Sequence, residues 1–123
     1  MRAVGVDLVA VDRIAALLER HGERFLARCF HAGEAAVAAR PGRAGAQALA
    51  ARWAAKEACL KVLGGPLDPV PYRDVEVIRD AHGAPGLRLH GRALARLEAR
   101  GGGALHLSLS HERDHAVAVV VLD

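Results

Sequence analysis

The sequence predicts an α+β fold: a small, mostly antiparallel sheet packed on a long central helix, with shorter helices around it. Three observations carry this expectation. The stretch "AGAQALAARWAAKEACLKVLGG" is alanine-rich, long enough for five helical turns, and followed by Gly64, Gly65 and Pro66, which stop helices. "AVGVDLVAV", Ala3 to Val11, is a β-branched run near the start of the chain. "ALHLSLSHERDHAVAVVVLD" alternates, turns and alternates again, as a hairpin does.

The elements follow in order. Ala3 to Val11 is so evenly apolar that it reads as a buried strand. "DRIAALLERHG" is a helix, with Asp12 capping its start and Gly22 ending it. "ERFLARCF" continues as a second short helix, and "HAGEAAVAAR" as a third, closed by Pro41 and Gly42. The long helix runs from about Ala46 to Leu63. "YRDVEVIRD" alternates as a half-buried strand, and "HGAPGLRLHG" gives a turn and another strand. "RALARLEARGG" is a short helix ended by glycines. The hairpin has a strand through about Ser110, a turn near Glu112 to Asp114, and a strand to Leu122. No repeat or linker interrupts this order. A chain of 123 residues suits one domain spanning 1–123.

Composition narrows the function classes. Hydrophobic residues make up 52% but aromatics only 3%, so the core must come from Ala, Val and Leu, and backbones can approach closely. The net charge is +3, with the excess in the first half: Arg13 to Lys61 holds nine basic and four acidic residues. That suits an anionic partner, while the shortage of stacking aromatics disfavours nucleic acid. Cys29 and Cys59 lack C-x-x-C spacing and lie among apolar residues, which predicts buried, reduced thiols in a cytoplasmic protein. No signal peptide and no 18-residue apolar run is present, so no membrane association is expected.

Four groups could carry chemistry. On the long helix, Leu49, Trp53, Leu60 and Leu63 share an arc about 80° wide, while alanines fill the opposite side. Such a helix is buried, yet it carries Lys56, Glu57 and Lys61. Glu57 and Lys61 are i,i+4 neighbours; they form either a modest intrahelical pair or a carboxylate and amine presented to a cleft. Asp7 lies inside an apolar strand and needs compensation, from backbone donors or from a metal shared with a second carboxylate such as Glu57. His106, Ser108 and Ser110 share one strand face, either simply exposed or turned to an anion. No G-x-S-x-G elbow supports a serine hydrolase. Arg13, Arg20, Arg24 and Arg28 form either a solvated face or a docking surface for an acidic helix.

These pieces, in this order, resemble one family over nearly the whole chain: the holo-acyl-carrier-protein synthases, the short type of 4′-phosphopantetheinyl transferase. "GVDLVAVDRI" is similar to the opening pattern G-[IVL]-D-[IVL]-x-x-[IVL]-x-R-[IVF], and "ARWAAKEACLK" to R-[FW]-x-[AV]-K-E-A-x-x-K. "FHAGE", ending in Glu34, and the C-terminal hairpin also match. The resemblance implies transfer of the 4′-phosphopantetheine arm of coenzyme A to a serine of an apo acyl carrier protein, with release of 3′,5′-ADP. It implies that Asp7 and Glu57 bind Mg2+ and that Lys61 contacts the pyrophosphate, these three being the catalytic set. It implies that Arg52 and His106, with Ser108, lie near the nucleotide, supplied by a neighbouring subunit of a homotrimer. It also implies that Arg13, Arg20, Arg24 and Arg28 dock the acidic carrier helix, in fatty-acid or polyketide synthesis. No nucleophile of its own is then required, and Glu57, working through metal-bound water, is the preferred base.

Three departures stand out. Ala10 occupies a place where many relatives have glutamate, which leaves more of the metal shell to water. His31 replaces the usual threonine or serine before Glu34, which predicts a weaker helix cap. "GGPLDPVPYRD", Gly64 to Asp74, replaces a glycine-threonine-glycine loop and should be stiffer. Ala10 and this loop motivate a second reading, a non-catalytic module that binds coenzyme A or the carrier protein.

Overall fold

The computed structural model describes residues 1–64 and 69–123. Strand β1 (Ala3–Ala10) leads directly into α1 (Val11–His21). Gly22, at φ 49°, separates α1 from α2 (Glu23–Cys29) and sends its N–H to the Leu18 carbonyl at 2.8 Å, a reversal that a residue without Cβ makes easily. Helix α3 (Ala32–Ala35) tightens into a 3-10 turn over Ala36–Ala39 before α4 (Ala44–Val62), two residues longer at its start than expected. Strands β2 (Val75–Arg79) and β3 (Pro85–Leu89), helix α5 (Gly91–Ala99) and strands β4 (Leu105–Glu112) and β5 (His115–Leu122) complete the chain.

The strands form two antiparallel sheets, β1-β5-β4 and β2-β3. Helix α4 covers one face of the larger sheet. Gly5, Asp7 and Val9 of β1 stand opposite Val120, Ala118 and Ala116 of β5 on that inner face. Several of these residues are small, and the helix sits close. A Cβ added to Gly5 would lie 2.1 Å from the Ala58 carbonyl oxygen. This close approach is the packing that the alanine-rich composition predicted.

Two expectations need correcting. β1 is not buried on both faces. Val4, Val6 and Leu8 are 56%, 53% and 66% exposed, because α4 layers only the inner face. The outer face of β1, continued by Val117, Val119 and Val121 of β5, is apolar and has no covering layer among the described residues. Asp12 does not cap α1 either. The helix begins at Val11 with Ala10 at the N-cap and no side-chain cap bond, and the Asp12 carboxylate instead takes Arg43 Nη1 at 2.9 Å.

The aromatic residues concentrate in one place. Phe25 meets Phe30 edge-on at 5.6 Å and Trp53 at 5.8 Å, and Trp53 stacks on Tyr72 at 4.4 Å. The core therefore has an alanine–valine end under the sheet and an aromatic end between α2 and α4. Cys29 and Cys59 are free and buried, as expected. Among the described residues, no helix is long and apolar enough to cross a membrane.

Candidate active site

The inner pleat of β1 points Asp7 at α4, and the last turns of α4 carry Glu57 and Lys61 to meet it. Lys61 Nζ donates to the Val6 carbonyl at 2.8 Å and lies 3.4 Å from Asp7 Oδ1. Burial raises the Asp7 carboxyl above its ordinary value, the negative charge of Glu57 raises it further, and Lys61 and Arg13 oppose the rise. Glu57 Oε1 accepts a 2.8 Å hydrogen bond from the Tyr72 hydroxyl. Among the described residues no hydrogen bond or ion pair joins Glu57 to Lys61, so the intrahelical pair is not formed; Lys61 turns to the strand instead. Two carboxylates that repel each other, with only oxygen donors offered, suit a hard divalent cation such as Mg2+. Ala10, exposed at the junction of β1 and α1, adds no carboxylate to this set.

Lys56, one residue before Glu57, is fully buried and faces away from this cluster. Its Nζ lies 2.9 Å from Glu34 Oε1 and also donates to the carbonyls of Tyr72, at 3.1 Å, and Val75. Glu34 completes its own shell with the N–H groups of His31 and Val77, both at 3.0 Å. Burial lowers the Lys56 amine below its ordinary value, and the charge and hydrogen bond of Glu34 offset this only in part. Every donor on this ammonium has an acceptor, as a buried charge requires. The bond from His31 N–H to the Glu34 carboxylate also secures the start of α3, so replacing threonine or serine by His31 leaves this half of the cap intact.

The remaining site residues lie elsewhere in the chain. Arg52 is buried on a different side of α4 and donates to the Ala48 carbonyl at 3.1 Å; its Nε has no partner among the described residues. With Arg40, Arg79, Leu109, Ser110 and His111 it lines a hollow of about 350 Å3. His106 and Ser108 project from the outer face of the sheet, away from Asp7, and His106 Nε2 lies 3.7 Å from Asp123 Oδ2. One chain therefore separates two parts of the predicted set: Asp7, Glu57 and Lys61 on one side, Arg52, His106 and Ser108 on others.

Arg13, Arg20, Arg24 and Arg28 are all exposed along α1 and α2, and none forms an ion pair among the described residues. Arg24 and Arg28 flank a hollow with His21 and Phe25, and the Arg13 guanidinium lies 5.8 Å from the Trp53 ring centre. The Gly64 to Asp74 loop, singled out for its prolines, falls partly outside the described residues, at 65–68.

Two features were missed from sequence. Tyr72, which binds Glu57, is the chain's single tyrosine, a residue conspicuous where aromatics are scarce. Arg40 and Arg79 join Arg52 only through the fold, and no spacing rule links them.

The family model described as the 4′-phosphopantetheinyl transferase superfamily matches residues 3–120. A holo-[acyl-carrier-protein] synthase of Halorhodospira halophila is 50% identical over 120 residues, covering 97% of this chain and 94% of that protein. The crystal structure of the Neisseria meningitidis synthase is similar at a TM-score of 0.85 and 33% identity, covering 100% of this chain and 98% of that one. The Helicobacter pylori synthase, solved in complex with coenzyme A, is similar at a TM-score of 0.83 and 26% identity, covering 98% and 100%. With the pattern residues Asp7, Glu57 and Lys61 clustered at the seam of β1 and α4, the chain belongs to the 4′-phosphopantetheinyl transferase superfamily and, within it, to the holo-[acyl-carrier-protein] synthases.

Proposed function

We propose that this enzyme moves the 4′-phosphopantetheine group of coenzyme A onto a serine of an apo acyl carrier protein, depends on Mg2+, and releases 3′,5′-ADP. The observation that carries this reading is the convergence of Asp7, Glu57 and Lys61 at one seam. Asp7 and Glu57 would hold Mg2+, which when bound supplies charge neutralisation of the pyrophosphate. Lys61 adds a positive charge beside the same carboxylates, one helical turn from Glu57. The serine hydroxyl of the carrier attacks the phosphorus that bears the pantetheine arm. The bond from that phosphorus to the ADP oxygen breaks, and the serine proton leaves to a base, the role assigned to Glu57 in this reading. Tyr72 fixes the Glu57 carboxylate by its 2.8 Å hydrogen bond.

The division of the site supports assembly into an oligomer. The uncovered apolar face of β1 and β5 supports a homotrimer, and His106 and Ser108 on that sheet would complete a neighbour's nucleotide site, together with Arg52. The unpaired row Arg13, Arg20, Arg24 and Arg28 supports docking of an acidic carrier helix beside it. Two reduced, buried thiols agree with a cytoplasmic setting.

The test is intact-mass analysis of apo carrier proteins, from fatty-acid and polyketide synthesis, after incubation with the enzyme, coenzyme A and Mg2+. The expected result is a gain of one phosphopantetheine arm, lost in Glu57→Ala. No gain where another transferase succeeds, with coenzyme A binding that survives Glu57→Ala, would instead establish the non-catalytic binding module.

A further inference from the structure

Outside the Asp7–Glu57–Lys61 set, three side chains with metal-ligating atoms come together. His31 precedes α3, Glu76 lies on β2, and His90 precedes α5. One potential ligand atom from each lies within 4.8 Å of the others, and among the described residues no other three histidine, cysteine, aspartate or glutamate groups gather this closely. The His31 and His90 rings lie 4.6 Å apart, centre to centre, and are tilted by 32°. His90 Nε2 is 2.9 Å from Glu76 Oε1. All three residues are half-buried, so an ion could reach them without unfolding the chain.

The backbone under each ligand is fixed. His31 N–H donates to the Glu34 carboxylate at 3.0 Å, and His90 N–H to the Asp74 carbonyl at 2.8 Å. Glu76 is held in register opposite Arg88 in the β2–β3 ladder. Burial disfavours the charged Glu76 carboxylate, but the bond from His90 and the charges of His31, His90 and Arg88 hold it below its ordinary value. Arg88 Nη1, at 3.9 Å, is a competitor for this carboxylate.

We propose that His31, Glu76 and His90 bind a borderline divalent transition-metal ion, with Zn2+ the best fit, at a site separate from the Asp7–Glu57 cluster. Two imidazoles and one carboxylate form the three-ligand set that zinc accepts with water in the fourth position, and imidazole nitrogen selects against Mg2+. Tetrahedral bonds near 2 Å place ligand atoms about 3.3 Å apart, so modest side-chain rotation suffices. The ion would replace the His90–Glu76 hydrogen bond and tie together the starts of α3 and α5 and strand β2. It would thereby brace the segment that holds Glu34. The site does not depend on the transferase reading.

The probe is Co2+ added to the enzyme in excess Mg2+, read by visible absorption, with Zn2+ as competitor. One equivalent of tetrahedral Co2+, displaced by Zn2+, is expected, and Zn2+ should raise the melting temperature reversibly to chelator. His31→Thr and His90→Gln should weaken binding by roughly 100-fold or more, beyond what changes around a ligand usually cost. Each variant is checked by circular dichroism; His90→Gln is chosen because it can keep a hydrogen bond to Glu76. Asp7→Asn should leave the absorption in place. Absence of the Co2+ band and of any Zn2+ effect on melting in the wild-type enzyme would overturn the proposal. So would binding that survives in folded His31→Thr and His90→Gln, or that disappears with Asp7→Asn.

Discussion

Lys56 Nζ lies 2.9 Å from Glu34 Oε1, and the two side chains are 0% and 1% exposed. An ion pair sealed this completely is costly to break from one side, because the partner left behind is a buried, uncompensated charge. Lys56→Met or Glu34→Gln should each cost about 3–5 kcal/mol. The double variant Glu34→Gln/Lys56→Met should cost less than the sum of the singles. Urea denaturation of the four proteins measures the coupling; strict additivity would show that the pair is not an energetic unit.

Gly5 is the point at which β1 touches α4. An added methyl would meet the Ala58 carbonyl at 2.1 Å, well inside contact distance, and backbone cannot swing away as a side-chain tip can. Gly5→Ala should destabilise by about 1–3 kcal/mol, the range for overpacking. It should also lower turnover, since the strand that must shift carries Asp7 and the helix carries Glu57. Thermal melts and the carrier-modification assay check the two effects. Gly33, where an added methyl would meet nothing within 4 Å, is the control position.

The long helix and the hairpin were legible because each follows from local pattern: helical length and alternation. The apolar run around Asp7 showed only that its charge needs compensation; that the Glu57–Lys61 turn supplies its neighbours came from the family resemblance, because no spacing rule joins positions this far apart. The roles of Lys56 and Tyr72 were not. Periodicity put Lys56 among large apolar residues without indicating that Glu34, 22 positions away, waits there. Tyr72 reaches Glu57 from a different element, across the aromatic end of the core. The exposure of Val4, Val6 and Leu8 was illegible for another reason: an apolar outer face reads the same whether covered by its own chain or by another.

Tyr72→Phe separates positioning from packing. The ring stays stacked on Trp53, 4.4 Å away, while the hydroxyl that holds Glu57 Oε1 is lost. Stability should change by about 1 kcal/mol, the usual net value of one hydrogen bond. The rate of carrier modification should fall, with kcat affected more than KM for coenzyme A. A variant as active as wild type would remove Tyr72 from the site.

Alkaline stability tests the buried acids. Burial pushes the Cys59 thiol from an ordinary 9.0 up to about 12. Burial and the bond to Glu57 push Tyr72 from 10.0 up to about 12. A group whose folded value is raised binds its proton more tightly in the folded state, so its contribution is full below the unfolded value and is lost as pH rises through the folded one. Stability should therefore fall from about pH 9 towards 12. Cys59→Ala should flatten the onset, and Tyr72→Phe the later part. Melting temperature against pH reads both, and identical profiles for all three proteins would contradict the assignment.

The division of the predicted site between two faces of one chain makes complementation the sharpest test of assembly. Val6→Glu places a charge on the apolar outer face, at a residue 53% exposed in the single chain, and should give a monomer by sedimentation that has lost carrier modification. His106→Ala and Glu57→Ala should each be inactive alone as trimers. When the two are unfolded together and refolded as a mixture, some interfaces will pair an intact Glu57 from one subunit with an intact His106 from its neighbour. Those interfaces should regain wild-type turnover. If both residues served the same chain's site, every site in the mixture would carry one defect and no activity would return. Recovery on mixing therefore requires shared sites, and its absence in refolded trimers would confine Glu57 and His106 to one subunit.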